Sequence, residues 1–322
     1  MARGAALIVA LMIGWAAVLA AGTASLDTSP VPFKAGYMPL FGGDNLVRSP
    51  GGRSVRLKLD ARTGSGFVSK SAYHHGYFSA SIKLPNDHTA GVVVAFYLSN
   101  ADEFPDNHDE VDFELLGNRR GHESATSSPS TPPSGCHAYA VAWTPTAVVF
   151  YVDGTPIREV VRVPAMGGDF PAKPMSVYAT IWDGSAWATD GGRYKVDYAH
   201  APFAADFSAL ALAGCPAAGA GAGCQVAVMT AEFAVMTPAK RAAMRRFRRR
   251  NLLYTVCHDR YRYNGTVFPE CDGGADDGDD FHKWGESKRV SSGRRGYKQQ
   301  QQQQPRADGR PSTWPVGTLR AD

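Results

Sequence analysis

The stretch His108-Asp109-Glu110-Val111-Asp112-Phe113-Glu114-Leu115-Leu116-Gly117 alternates acidic with apolar residues. In an extended strand successive side chains point to opposite faces. His108, Glu110, Asp112 and Glu114 therefore share one face, and Val111, Phe113 and Leu115 share the other, where they suit a core. Acids side by side on one face repel one another, and an ordinary solvated strand intersperses Thr or Lys. An acidic surface strand or a cation site are the plain alternatives. The sharper reading is carboxylate chemistry.

Hydrolysis of a glycosidic bond with retention uses two carboxyls about 5–5.5 Å apart, one as nucleophile and one as acid/base. Cα atoms at i and i+4 of a strand lie about 13 Å apart. The side chains of Glu110 and Glu114 must then lean together, or the strand must bend. Asp112 between them can hydrogen-bond the nucleophile, and the clustered charge is expected to raise the pKa of the proton donor.

Outward from this stretch the pattern stays β. Val55, Leu57 and Leu59 alternate with Arg56 and Lys58, and Phe67-Val68-Ser69 follows a Gly-rich turn. Residues 77–84, 91–98, 137–143, 148–152 and 175–182 predict further strands. Asp153-Gly154 between two apolar segments is a hairpin signal. Pro30 to Gly43 reads as a turn-rich lead-in. Many short strands with frequent turns point to an all-β sandwich or jelly roll. One helix is predicted near residues 238–253, where Ala242, Ala243, Met244 and Phe247 lie among six arginines from Arg241 to Arg250. Those arginines suit either an anionic partner or a solvated helix surface, and the second reading is favoured.

The 322 residues suffice for one large β domain with appendages. A formal net charge of +4 is too weak to argue for nucleic acid. Arg3, the apolar run from Ala5 to Ala21 and the small residues Gly22-Thr23-Ala24 predict a signal peptide over residues 1–24, a membrane anchor being the alternative. Secretion permits disulfides. Of the five cysteines, the close spacings suggest Cys215–Cys224 and Cys257–Cys271, leaving Cys136 as the odd one. No Cys/His group has zinc-site spacing, and no metal or cofactor is expected. Beyond Asp272 come an acidic cluster, a basic run and the glutamines Gln299 to Gln304, so residues 272–322 read as a disordered, non-catalytic tail.

The quoted stretch, extended to Asn118, resembles the signature of the plant xyloglucan endotransglucosylase/hydrolases, in glycoside hydrolase family 16. So do Gly64 to Lys70, Tyr151 to Glu159, Ile181 to Gly192, and Tyr254 through Cys257 to Tyr263. Tyr77 to Pro85 and Met166 to Pro171 resemble the subgroup with longer C-terminal tails. The resemblance spans about Pro32 to Cys271. It implies a concanavalin-like β-jelly-roll sandwich over residues 32–205 and a family-type extension with a short helix over 206–271. It implies Glu110 as nucleophile, Glu114 as general acid/base and Asp112 as helper. By motif position Tyr97, Trp182, Ala186, Trp187, Gly191, Tyr254 and Arg262 line the sugar subsites. The rings of Tyr and Trp suit the apolar faces of glucose, although Tyr97 and Trp187 also suit core packing; Trp143 is assigned to the core. The implied activity cleaves and rejoins xyloglucan. The partners are then a xyloglucan donor and a xyloglucan or oligosaccharide acceptor, met by a monomer in the cell wall, the apoplast, with no membrane after signal cleavage.

One segment departs from the pattern. Arg119 to Gly135 is short, polar and rich in Ser and Pro, where the family has a longer segment with a sugar-binding strand. A catalytically impaired glucan-binding protein is therefore the alternative, and a basic polymer binder acting through Arg241 to Arg250 a weaker third. The sequon following the catalytic strand in the family is missing; Asn264-Gly265-Thr266 is the candidate glycosylation site.

Overall fold

The computed structural model describes residues 26–117, 135–219, 221–252, 255–258, 266–271 and 314–315. The expected signal peptide, the segment 119–134 and almost all of the tail lie outside them. The strands in chain order are β1 (Tyr37–Phe41), β2 (Leu46–Arg48), β3 (Ser54–Leu59), β4 (Ser65–Ser69), β5 (Tyr73–Lys83), β6 (Val92–Ser99), β7 (Glu110–Leu116), β8 (His137–Trp143), β9 (Ala147–Val152), β10 (Thr155–Val161), β11 (Ser176–Asp183), β12 (Phe203–Pro216) and β13 (Trp314–Pro315). They form two sheets, ordered β1-β4-β11-β6-β7-β13 and β10-β9-β8-β5-β12-β3-β2. All pairings are antiparallel except the short parallel one between β13 and β7. The fold is an all-β jelly-roll sandwich.

The core lies between the sheets and follows the alternation. Val92, Val94, Phe96 and Leu98 of β6, with Val111 and Phe113 of β7, face Val141, Trp143, Val148 and Phe150 across the gap. Aromatic edges lock the layers. Phe67 of β4 meets Phe207 of β12 at 5.5 Å, and Phe113 meets Phe150 and Tyr139 at 5.4 Å each. Burying each such side chain contributes about 1.5–3 kcal/mol. The ring of Phe113 therefore fixes β7 against the second sheet, with its acids turned to the opposite face. Trp143 is fully buried, and its Nε1 donates to the Pro171 carbonyl.

The Asp153-Gly154 hairpin joins β9 to β10 with both residues at positive φ, 48° and 71°, as a type I′ turn requires. Four strands lie outside the sequence expectation: the short β2, β13 within the expected tail, β1 and β12. The lead-in holds β1, an edge strand that tolerates Pro39 and carries a bulge. β12 is the longest strand, yet it is Ala-rich and shifts register between Ser208 and Ala211, so no alternation marks it.

The C-terminal region packs on the outer face of the seven-stranded sheet. Met236, Phe233 and Met244 cover Ala140, Ala142, Val149 and Tyr151 there. A helix spans Ala222–Thr230 and a longer one Pro238–Asn251, capped by the Thr237 side chain at the Lys240 N–H. Pro238 sits at its start, where its missing N–H costs nothing. Arg241 forks onto Glu159 of β10 at 2.7 and 2.8 Å. Cys215–Cys224 and Cys257–Cys271 are bonded, with Cα separations of 5.8 and 5.2 Å; Cys136 is free and exposed. Arg158, 4% exposed, pairs with Glu270 beside the second disulfide and ties that segment to β10.

Candidate active site

β7 pairs with β6 without a register shift from Ser99–Glu110 to Val93–Leu116. Glu110, Asp112 and Glu114 thus project from one face of an unbroken strand, away from the core side held by Val111 and Phe113. The strand begins at Glu110, so His108 belongs to the preceding loop and not to the alternating row. Its Nδ1 is buried and meets no hydrogen-bond partner among the described residues.

Both ends of the strand are pinned. At its start, the buried carboxylate of Asp109 accepts the backbone N–H groups of Ala172 and Lys173 at 2.9 and 2.8 Å and pairs with Lys173 Nζ at 3.0 Å. The Asp109 N–H donates to Asn100 Oδ1 at 2.7 Å. At its end, a Cβ on Gly117 would lie 1.7 Å from the Thr89 carbonyl, so only glycine fits. The Gly117 carbonyl accepts the Thr189 hydroxyl at 2.7 Å, which joins the strand to the loop after Trp182. Neither Asp109 nor Thr189 stood out in the sequence, because their partners are distant in the chain.

The acids share a difficult environment. Burial pushes the Glu110 carboxyl above the usual carboxylate range, while His108 and a hydrogen bond with Ser99 pull it partly back. Asp112 is raised well above its ordinary value by burial and by the flanking Glu110 and Glu114, and its Oδ1 is buried without a hydrogen-bond partner among the described residues. Water reaches Glu114 from the open face, but protein crowding its other sides lifts its carboxyl from 4.5 to about 7, with Glu110 adding repulsion. Such a set holds a proton near neutral pH and gives it up readily, as acid/base work requires.

Aromatic side chains flank the row. Tyr97 pairs with Asp112 across the β6–β7 ladder and stacks on Tyr178 of β11 at 5.0 Å and 13°. Tyr97 therefore lies on the acid face, not in the core. The Tyr178 hydroxyl donates to Asp102 at 2.8 Å. Tyr178 shares its face of β11 with Ser176, Thr180 and Trp182, and that period-two spacing marks a residue the motifs did not single out. Trp182 and Trp187 lie 5.9 Å apart and both are half-buried. Ala186 and Gly191 are exposed in the same loop. Tyr254, Arg262 and Asn264 lie outside the described residues. Among the described residues no group of three or more His, Cys, Asp or Glu is placed to hold a metal ion, and no helix is long and apolar enough to cross a membrane.

A carboxylate row on one open sheet of a jelly roll, flanked by aromatic rings, defines a glycosidase-type site. The sequence comparisons agree with that class. Residues 33–200 match the glycosyl hydrolases family 16, and residues 226–271 match the xyloglucan endo-transglycosylase (XET) C-terminus. The chain belongs to glycosyl hydrolase family 16 and, within it, to the xyloglucan endotransglucosylase/hydrolases. It is 46% identical over 275 residues to probable xyloglucan endotransglucosylase/hydrolase protein 28 of Arabidopsis thaliana, covering 79% of this chain and 82% of the relative. Identity to protein 27 of the same plant is 46% over 277 residues, with the same two coverages of 79% and 82%. Xyloglucan endotransglucosylase protein 2 of Diospyros kaki is 33% identical over 283 residues, covering 80% of this chain and 95% of the relative.

Proposed function

We infer that this enzyme cleaves and rejoins xyloglucan chains of the plant cell wall by retaining double displacement, with hydrolysis as a second fate of the same intermediate. The observation that carries the reading is the row Glu110, Asp112, Glu114 on one face of a regular strand, with the Glu114 proton held to about 7. In the first step the Glu110 carboxylate attacks the anomeric carbon. The glycosidic C–O bond breaks, and Glu114 passes its proton to the departing oxygen. A covalent glycosyl–Glu110 ester remains. In the second step the Glu114 carboxylate takes the proton of an acceptor hydroxyl, whose oxygen attacks the anomeric carbon and expels Glu110. A sugar acceptor gives transfer and water gives hydrolysis.

Asp112, its carboxyl raised between two neighbours, is the helper placed to hydrogen-bond Glu110 and so tune it as nucleophile and as leaving group. Tyr97, Trp182, Ala186, Trp187 and Gly191 line the sugar subsites, with Tyr254 and Arg262 contributing from the C-terminal extension. Family membership supports this assignment, and the rings suit glucose faces. We read residues 1–24 as a signal peptide, 32–205 as the catalytic jelly roll, 206–271 as the extension and 272–322 as a tail. The mature protein is then a secreted apoplastic monomer, glycosylated at Asn264. Nothing in the family relationship supports the alternative of an impaired glucan binder. Incubating the purified chain with xyloglucan and a labelled xyloglucan oligosaccharide tests the reading. Label entering polymer is expected, and its absence together with unchanged polymer length overturns it.

A further inference from the structure

The exposed apolar side chains of β1 remain outside the site described so far. Met38, Leu40 and Phe41 are 49%, 42% and 41% exposed, an unusual concentration on one short edge strand. Direct partners in an antiparallel ladder present their side chains to the same face. Met38 pairs with Val68, Val68 with Tyr178, Tyr178 with Tyr97, and Tyr97 with Asp112. Met38 therefore stands on the acid face, four strand spacings from Asp112, or about 19 Å.

Phe41 reaches the same face by a different route. Strict alternation from Met38 would turn Phe41 toward the core. A register shift between Pro39 and Phe41 instead sets Phe41 opposite Gly66, which is how a bulge re-aims a side chain. The next row runs Phe41, Gly66, Thr180, Ala95, Glu114. A Cβ on Gly66 would meet the Phe41 ring at 2.8 Å and Thr180 Cγ2 at 2.9 Å. The ring thus leans over Gly66 toward Thr180, in space that only glycine leaves. Between Phe41 and Glu114 the row holds only Gly66, Thr180 and Ala95. It forms a low floor, walled by Tyr97 and Tyr178 on one side and by Trp182, which pairs with Val93 in the following row, on the other.

We propose that Phe41, with Met38 and Leu40 beside it, is a distal platform for the same glucan chain that is cut at Glu110, binding the apolar face of a pyranose ring at the far end of this floor. The occupant follows from continuity, since the platform shares the face and the row of Glu114. The proposal rests on the glucan-cleaving reading above and adds a determinant of substrate length.

The test compares wild type, Phe41→Ala and Phe41→Trp on polymeric xyloglucan and on a short xyloglucan oligosaccharide donor that ends before β1. Phe41→Ala is expected to raise KM for the polymer about three- to tenfold, with kcat kept and the short donor unaffected. Phe41→Trp is expected to restore the polymer KM. Unchanged polymer KM in Phe41→Ala overturns the platform alone, as does an equal change on both donors. A wild-type chain that binds and cuts neither donor overturns the functional reading and the platform with it. Met38→Ala repeats the comparison should Phe41→Ala not fold. Sedimentation of wild type and Phe41→Ala checks for a second copy as the occupant: a dimer lost in the variant overturns the glucan assignment.

Discussion

The two sheets of this sandwich share one core but treat their outer faces in opposite ways. The seven-stranded sheet is covered. The C-terminal helix docks on β10 through Arg241–Glu159, Met236 and Met244 cover the β8–β9 surface, and Arg158–Glu270 anchors the second disulfide. Among the described residues no helix docks on the outer face of the six-stranded sheet, and it carries three carboxyls in a row at a cost in repulsion and desolvation. One face is built for stability and the other tolerates instability for chemistry. If that division holds, substitutions on the open face change turnover with little change in Tm, and substitutions under the cover do the reverse.

The largest expected effect is on the open face. Glu110→Gln is expected to lower turnover by on the order of 10^4-fold or more, because in the proposed mechanism Glu110 forms the covalent intermediate. Its circular dichroism should match the wild type, and its Tm should hold or rise, since one buried carboxyl of the row is removed. A lost fold would show that the acid row also holds the structure, against the division between the two faces.

Next comes the covered face. Arg158→Ala leaves Glu270 buried without its cation, and breaking a buried pair costs about 3–5 kcal/mol. Urea unfolding measures this, while kcat/KM of the folded fraction should stay within about twofold. Replacing Cys257 and Cys271 together by Ser is expected to cost about 2–4 kcal/mol by freeing the unfolded chain. Peptide mapping without reductant should recover both linked pairs from the wild type.

The smallest effect is a slope. Glu114 is raised in the folded state from 4.5 to about 7, so the folded state binds this proton more tightly than the unfolded one. Stability from this group is fully present below about 4.5 and is lost as pH rises toward 7. Glu114→Gln should flatten the dependence of Tm on pH across that window. Turnover of the wild type should fall as pH rises through about 7, as the acid loses its proton.

Much of this division was legible in the sequence, for identifiable reasons. The acid row declared itself because period-two alternation puts Glu110, Asp112 and Glu114 on one face whatever surrounds them. The Cys215–Cys224 and Cys257–Cys271 pairs followed from short spacing. β12 stayed hidden because its small alanines carry little pattern and its register shifts midway. β1 stayed hidden because Pro39 and the neighbouring glycines look like a turn, whereas an edge strand accepts a proline. The anchors of the catalytic strand, Asp109 with Lys173 and Thr189 with Gly117, join residues 64 and 72 positions apart. No local reading finds such pairs. The stack of Tyr97 on Tyr178 is likewise a product of sheet order, since β11 lies beside β6 only in the folded chain.

The acid face is proposed to work through a glycosyl ester on Glu110. This is tested most directly by trapping that ester with a slow fluorinated glycoside donor, digesting the protein and locating the added mass by tandem mass spectrometry. The sugar is expected on Glu110, in the peptide that carries Asp112 and Glu114, with no adduct in Glu110→Gln. An adduct on Glu114, or turnover of natural xyloglucan with inversion at the anomeric carbon, would contradict it.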